Sequence, residues 1–135
     1  MPLKFPFALR DGYNALLGVQ VAAWGPDAAT LQFDVRDALL NPGAVVHGGA
    51  LASLIDSACT MAGSWFDDPK LRRVPVTLTL TTNFLAPVRQ GPVTCTARRS
   101  GGGETTFMAE AEVVDGAGGL VATGRAVMRY LGKPR

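Results

Sequence analysis

The segment Asn41-Pro-Gly-Ala-Val-Val-His47-Gly-Gly-Ala-Leu-Ala-Ser-Leu-Ile-Asp56 leads from a loop rich in glycine and proline into an apolar stretch with one carboxylate. The pattern predicts a helix from about Gly48 to Trp65, surrounded by protein, because its apolar residues leave few polar positions on any face. The first turn of a helix offers backbone N–H groups without intrahelical acceptors. The segment therefore predicts a central helix with an oxyanion site at its start and a buried acid in its middle.

Asp56 needs an explanation, because an ionised carboxylate inside protein costs several kcal/mol unless donors or a positive charge compensate it. It is either a structural aspartate bonded to Ser or Thr neighbours or an acid kept for nucleophilic or general-base catalysis. His47 lies nine residues before it, which is roughly 13 Å along a helix at about 1.5 Å per residue. One chain therefore cannot bring Asp56 to a carbonyl held at its own Gly48 N–H. If both act on one substrate, two chains pair antiparallel across this helix, and we expect an obligate dimer with shared sites.

Length, charge and composition exclude several classes of protein. The 135 residues are the size of a single domain, 1–135, and the net charge of +2 comes with scattered arginines, which does not indicate nucleic-acid binding. The first residues lack the apolar stretch of a signal sequence, and no run of about 18 apolar residues indicates a membrane span, so we expect a cytoplasmic protein. With one histidine, and with Cys59 and Cys95 lacking metal-ligand spacing, we expect buried thiols and neither metal nor cofactor.

Apolar residues that alternate with polar ones predict strands on both sides of the helix. These apolar residues are Leu17, Val19, Val21 and Ala23; Leu31, Phe33 and Val35; Val76, Leu78 and Leu80; Val93, Cys95 and Ala97; and Phe107, Ala109, Ala111 and Val113. A turn at Trp24-Gly-Pro-Asp27 makes the first two strands a hairpin, and a last strand spans about Leu120 to Leu131. The connections 89–92, 100–103 and 115–119 have the composition of hairpin turns, so the later strands are expected to form a meander. The fold class is α+β, with one helix wrapped by a curved antiparallel sheet of five to six strands.

The string Asn41-x-x-Gly43-x-x-x-His47-Gly48-Gly49, with Asp56 nine residues after the histidine, resembles the hotdog-fold acyl-CoA thioesterases of the phenylacetate-pathway (PaaI-like) group. The stretch 76–91, the turn 115–118 and the ending 122–125 are also similar to that group. The resemblance spans roughly residues 14–132. It implies a hotdog fold, hydrolysis of an acyl-CoA thioester, and a dimer that commonly pairs into a tetramer.

The resemblance also implies a role for each residue of the motif. Gly48 would donate its N–H to the thioester carbonyl at the helix N-terminus, with Gly49 in the same substrate-binding turn. Asp56 from the opposite subunit would be the nucleophile or the general base. Asn41 would position the attacking water or the carboxylate, and His47 would hold the loop and assist near the thioester sulfur. Thr77 stands where the family often places a Ser or Thr that orients water.

Each of these residues also has a structural interpretation. His47 can simply cap the helix start, and Asn41 precedes a proline, which is a common way to open a turn. Thr77 is one of several alternating threonines in a predicted strand. The two glycines after His47 can serve close packing alone. The motif as a set indicates a site more strongly than any single member.

Coenzyme A carries phosphates that basic side chains are expected to bind, and Arg89, Arg98 and Arg99 are the candidates. Their alternative role is that of solvated charges at strand edges. The turn Gly101-Gly-Gly103-Glu104 departs from the family, in which a basic residue often follows this hairpin turn.

Two functions and two uses of the aromatic residues remain open at this point. Hydrolysis competes with a non-hydrolytic module that binds an acyl thioester, and Asp56 favours hydrolysis because binding alone gives no reason to bury an acid. No DNA-binding segment accompanies the domain, and this disfavours a transcriptional sensor. Four aromatic residues form either an aryl-acyl pocket or core packing. They are Trp24, Trp65, Phe66 and Phe84.

Overall fold

A computed structural model describes residues 12–68, 70 and 73–132, and confirms the predicted α+β architecture. Six strands form one antiparallel sheet in the order β1-β2-β4-β5-β6-β3, with one long helix against it. The elements are α1 Gly12–Leu17, β1 Gln20–Gly25, β2 Ala28–Asp34, a 3-10 turn Asp37–Leu39, α2 Gly48–Ala62, β3 Pro75–Phe84, β4 Pro92–Gly102, β5 Thr106–Val114 and β6 Leu120–Tyr130.

Helix α2 packs on the concave face of the sheet and supplies the centre of the core. Leu54, Ile55, Ala58 and Cys59 are fully buried there. The approach of helix to sheet is close at Gly124 in β6, where a Cβ atom would lie 2.5 Å from Cγ2 of Ile55. A residue without a side chain is therefore required at this contact.

The predicted helix end and the predicted first strand are both corrected. Helix α2 stops at Ala62 rather than Trp65, because Gly63 is its C-cap and the ring of Phe107 occupies the space beside it. The alternating residues from Leu17 to Ala23 do not form one strand. Leu17 ends helix α1, Gly18 turns the chain with φ +74°, and β1 begins only at Gln20.

The predicted meander is wrong at one connection. Strand β3 pairs with β6, while β4 pairs with β2 and β5, so the segment 85–91 is a crossover and not a hairpin. It passes the start of α2, where the N–H of Val46 donates to the carbonyl of Val88 at 2.8 Å. The predicted turn at 115–119 does join the paired strands β5 and β6. The turn predicted at 100–103 lies too early, because β4 continues to Gly102 and β5 begins at Thr106, but it also joins paired strands.

Strand β3 carries a bulge that changes which residues face the helix. Thr77 pairs with Met128 and Thr79 with Val127, so Leu78 is the extra residue. As a result Thr77 turns towards α2, while Leu78 is 53% exposed. A strand without this bulge would place Thr77 on the same face as Thr79 and Thr81, and Thr81 lines the groove on the outer face of the sheet.

Candidate functional site

The loop before α2 is held in shape by the side chain of Asn41. Its Oδ1 accepts hydrogen bonds from the N–H groups of Gly43 at 2.9 Å and Val45 at 3.3 Å. Between them Ala44 adopts φ +59°, a conformation that is costly for a residue with a side chain. Arg89 donates to the carbonyls of Gly43 and Ala44 at 3.4 and 3.3 Å. The structural role of Asn41 therefore uses its oxygen, and its Nδ2 makes no hydrogen bond within the described residues.

His47 is the N-cap of α2. Its Nδ1 accepts the N–H of Gly49 at 2.8 Å. Since Nδ1 is an acceptor in this bond, the neutral ring carries its proton on Nε2. The imidazole thus closes the first turn with one nitrogen and offers a donor with the other.

The N–H of Gly48 is the one donor of the first turn that has no acceptor within the described residues. Gly49 donates to the His47 side chain, and Ala50 and Leu51 donate to the His47 carbonyl at 2.9 and 3.3 Å. The positive end of the helix dipole lies at the same place. Gly48 therefore presents a donor that suits a carbonyl oxygen gaining negative charge.

Phe84, the last residue of β3, forms a wall beside this donor. A Cβ atom added to Gly48 would lie 3.4 Å from its ring, so alanine would make ordinary contact there. The ring is 52% exposed even though it is apolar. Of the four aromatic residues considered above, Phe84 alone touches the start of α2.

The other three aromatic residues pack at or beyond the far end of the helix. Trp24 donates from Nε1 to the carbonyl of Met61 at 2.8 Å, and the rings of Trp24 and Trp65 meet edge to face at 5.0 Å. Phe66 lies 6.0 Å from the ring of Tyr130. These contacts favour core packing for all three residues.

Asp56 lies in the middle of α2 and is half-buried. The hydroxyl of Thr77 donates to its Oδ1 at 2.6 Å. Within the described residues Asp56 forms no ion pair, and the only salt bridge there joins Arg125 to Glu110. Its Oδ2 accepts no hydrogen bond from those residues. The carboxylate is therefore oriented through one oxygen, with the other available.

The structure brings the predicted residues together in two groups. Asn41, His47 and Gly48 lie at the N-terminus of α2, with Arg89 against the loop. Asp56 and Thr77 form the second group, about 12 Å further along the helix axis at 1.5 Å per residue. One chain alone therefore does not assemble a single site from all of them.

Arg98 and Arg99 differ in their surroundings. Arg98 lines an outer groove of about 600 Å³, on the face of the sheet away from α2, with Glu110, Glu112 and Arg125 among its neighbours. Arg99 donates to the carbonyl of Gly103 at 3.3 Å, and its buried Nε has no partner within the described residues. The contacts of Arg99 favour a structural role.

Both cysteines are fully buried. Burial, with a smaller contribution from the Asp56 carboxylate, raises the pKa of the Cys59 thiol to about 12. Burial, followed by the charge of Cys59, raises the pKa of Cys95 as well. Both thiols stay protonated near neutral pH and are therefore poor nucleophiles.

Two side chains near the start of α2 were not singled out from the sequence. The hydroxyl of Tyr13 in α1 lies 2.8 Å from Oγ of Ser53 in α2. No motif signals this contact, because α1 itself was not predicted.

Among the described residues no helix is long and apolar enough to cross a bilayer, and no three His, Cys, Asp or Glu residues could together hold a metal ion.

Comparison with known proteins gives the same family by sequence and by structure. A model of the thioesterase superfamily matches residues 43–122. The chain is 30% identical over 127 residues to the Mycobacterium tuberculosis protein named "Putative esterase Rv1847", covering 93% of this chain and 91% of that one. The structure of thioesterase HI1161 from Haemophilus influenzae aligns with a TM-score of 0.79 at 25% identity, covering 87% and 80% of the two chains. The Escherichia coli PaaI protein from the phenylacetic acid degradation operon gives 0.79 at 26% identity, covering 89% and 84%.

Proposed function

The chain belongs to the thioesterase superfamily, as a PaaI-like protein of hotdog fold, and from this we propose that it hydrolyses acyl-CoA thioesters to a free acid and CoA. The observation that carries the proposal is the N–H of Gly48 at the start of the central helix, which has no acceptor among the residues that the structure describes. A carbonyl oxygen placed there becomes more negative during attack, and the donor is already oriented towards it. The hydrogen bond from the Gly48 N–H to this oxygen is thus strongest in the transition state.

Asp56 of a second subunit is the group that promotes attack in this proposal. It acts either as the nucleophile or as the base that activates water, and both routes need similar placement. The separation of about 12 Å along α2 supports a site shared between two chains. Thr77 supports the assignment, because its hydrogen bond fixes one carboxylate oxygen and leaves the other free to react.

The edge strand β3 supports pairing of two chains at the site. It ends the sheet next to β6 and exposes Val76 by 39% and Leu78 by 53%. Native proteins rarely leave an apolar sheet edge uncovered. We place the dimer contact along this strand, which would bring one chain's Asp56 towards the start of the other chain's α2, and we expect the dimers to pair further into a tetramer.

The remaining motif residues act around the reacting thioester. The Nε2–H of His47 is suited to donate to the leaving sulfur, since its Nδ1 is already an acceptor. Nδ2 of Asn41 is available to position water or the carboxylate. Arg89, exposed beside the loop, and Arg98 are the side chains we assign to the phosphates of CoA.

The test is release of free thiol from short-chain, long-chain and aryl acyl-CoAs by wild type, Gly48→Pro and Gly48→Ala. Proline removes the N–H at the first helical position, where it is tolerated, and His47 at φ −59° and ψ 134° has the backbone that precedes proline readily. Alanine adds a Cβ atom and keeps the donor. We expect proline to lower kcat by about 10²- to 10³-fold and alanine by far less.

Equal activity of the two variants would show that the Gly48 N–H takes no part in catalysis. Absence of turnover on every substrate, with intact acyl-CoA bound to wild type, would replace the hydrolase with a non-hydrolytic binding module.

A further inference from the structure

A hydrogen bond joins the short helix α1 to the first turns of α2. The hydroxyl of Ser53 donates to the carbonyl of Gly49 at 2.7 Å, and the hydroxyl of Tyr13 lies 2.8 Å from the same Ser53 oxygen. A serine hydroxyl has a single hydrogen, which Gly49 already receives. Tyr13 is therefore the donor to Ser53, and both hydroxyls point their hydrogens in the same direction.

The chain of hydrogen bonds continues through two peptide units. The carbonyl of Gly49 belongs to the same amide as the N–H of Ala50, which donates to the carbonyl of His47 at 2.9 Å. The His47 carbonyl in turn belongs to the same amide as the N–H of Gly48. The sequence of donors thus runs from Tyr13 through Ser53 to the open N–H at the start of α2.

We propose that Ser53 and Tyr13 are positioning residues that orient and polarise the Gly48 N–H for the carbonyl of the substrate. A hydrogen bond received by an amide oxygen draws electrons from the nitrogen and makes its N–H a better donor. Such cooperativity strengthens each following bond by about 10–30%. The inference rests on the proposed function, because the end of the relay is the donor assigned to the thioester.

Ser57 offers a matched control one turn further along α2. Its hydroxyl also reaches α1, but it donates to Oδ1 of Asn14 at 2.9 Å and not to a backbone carbonyl. Removal of either serine hydroxyl therefore costs one contact between α1 and α2. Only the removal at Ser53 interrupts the relay to Gly48.

The experiment compares Ser53→Ala, Ser53→Thr and Ser57→Ala with wild type by steady-state kinetics and by the amide proton shift of Gly48 in NMR. Cooperativity of 10–30% passed on through two successive bonds is about 1–9% of the 10²- to 10³-fold effect in logarithmic terms, so Ser53→Ala should lower kcat by at most about twofold, with KM unchanged. Ser53→Thr restores the hydroxyl and the rate. Ser53→Ala should also shift the Gly48 amide proton upfield, while Ser57→Ala changes neither quantity.

Tyr13→Phe removes the first hydroxyl of the relay and should give a smaller change of the same sign in both measurements. The inference is overturned if Ser53→Ala and Ser57→Ala give the same kcat and the same Gly48 shift. If wild type hydrolyses no thioester, the proposed function fails, and the Gly48 shift alone then decides whether the relay exists.

Discussion

Thr77 and Asp56 are joined by a hydrogen bond of 2.6 Å from the threonine hydroxyl to the carboxylate Oδ1. The bond depends on the bulge at Leu78, which lets Thr77 face α2 in a strand whose later threonine, Thr81, lines the outer groove. It links the edge of the sheet to the one acid of the central helix. A structural aspartate would make the same bond, so experiments must separate the two roles.

Removal of the Asp56 carboxylate should abolish most of the activity without unfolding the protein. We expect Asp56→Ala to lower kcat at least about a hundredfold, the scale of acid–base catalysis. Thr77→Val should lower kcat about tenfold through loss of a hydrogen bond to a charged group, and Thr77→Ser should retain the rate. Thermal melts serve as the control. A large drop in melting temperature with unchanged kcat would make Asp56 structural.

Shared sites predict recovery of activity when two inactive variants are mixed. A dimer of one Gly48→Pro chain and one Asp56→Ala chain contains one site with both defects and one intact site. After unfolding and refolding of an equal mixture, about a quarter of the wild-type rate should return, since half of the dimers are mixed. Each variant refolded by itself is the control. A mixture no more active than its components would place both residues within one chain's site.

Asn41 is expected to use its two polar atoms for different purposes. Asn41→Asp keeps an oxygen for the N–H groups of Gly43 and Val45 but loses the Nδ2 donor. It should therefore keep the melting temperature of wild type and lower kcat about tenfold. Asn41→Ala should lower both the melting temperature and kcat, because Ala44 at φ +59° then lacks the support of the hydrogen bonds to the Asn41 oxygen. Full activity of Asn41→Asp would limit Asn41 to shaping the loop.

Gly63 is expected to tolerate no side chain. A Cβ atom there would lie 2.2 Å from the ring of Phe107, which is fully buried. Gly63→Ala should destabilise the fold by about 1–3 kcal/mol, measured by urea unfolding. Gly25→Ala is the control, because nothing lies within 4 Å of its Cβ position. Equal stability of the two variants would contradict the tight contact at the end of α2.

The protein should lose stability as the pH rises from 9 towards 12. The Cys59 thiol ionises near its ordinary pKa of 9.0 in the unfolded chain but near 12 in the folded one. Its contribution is therefore fully present below pH 9.0 and is lost as the pH rises through this window. At about pH 10.5 the loss should be on the order of 2 kcal/mol. Urea unfolding of wild type and Cys59→Ala at about pH 8 and 10.5 tests this, and an identical fall in both would refute it.

Much of the fold and the positions of the candidate site follow from the sequence by local rules. The apolar run after His47 predicts a buried helix, and glycine-rich segments at 100–103 and 115–119 predict hairpins that the structure contains. Helix and strand periods depend only on neighbouring residues, so these features can be read directly. The choice of Gly48 and Asp56 follows in the same way, although their catalytic roles stay predictions.

Tertiary structure alone decided the strand order, the phase of β3 and the first helix. Residues 89–92 have the composition of a hairpin turn, yet the segment 85–91 leads from the edge strand β3 to β4 inside the sheet, because β4 pairs with β2 and β5 and not with β3. The bulge at Leu78 turns Thr77 towards Asp56 although the threonines alternate evenly in sequence. Likewise, Tyr13 meets Ser53 forty residues away along the chain. Such contacts depend on which surfaces remain unpaired once the sheet has formed around α2, and a local pattern carries no information about them.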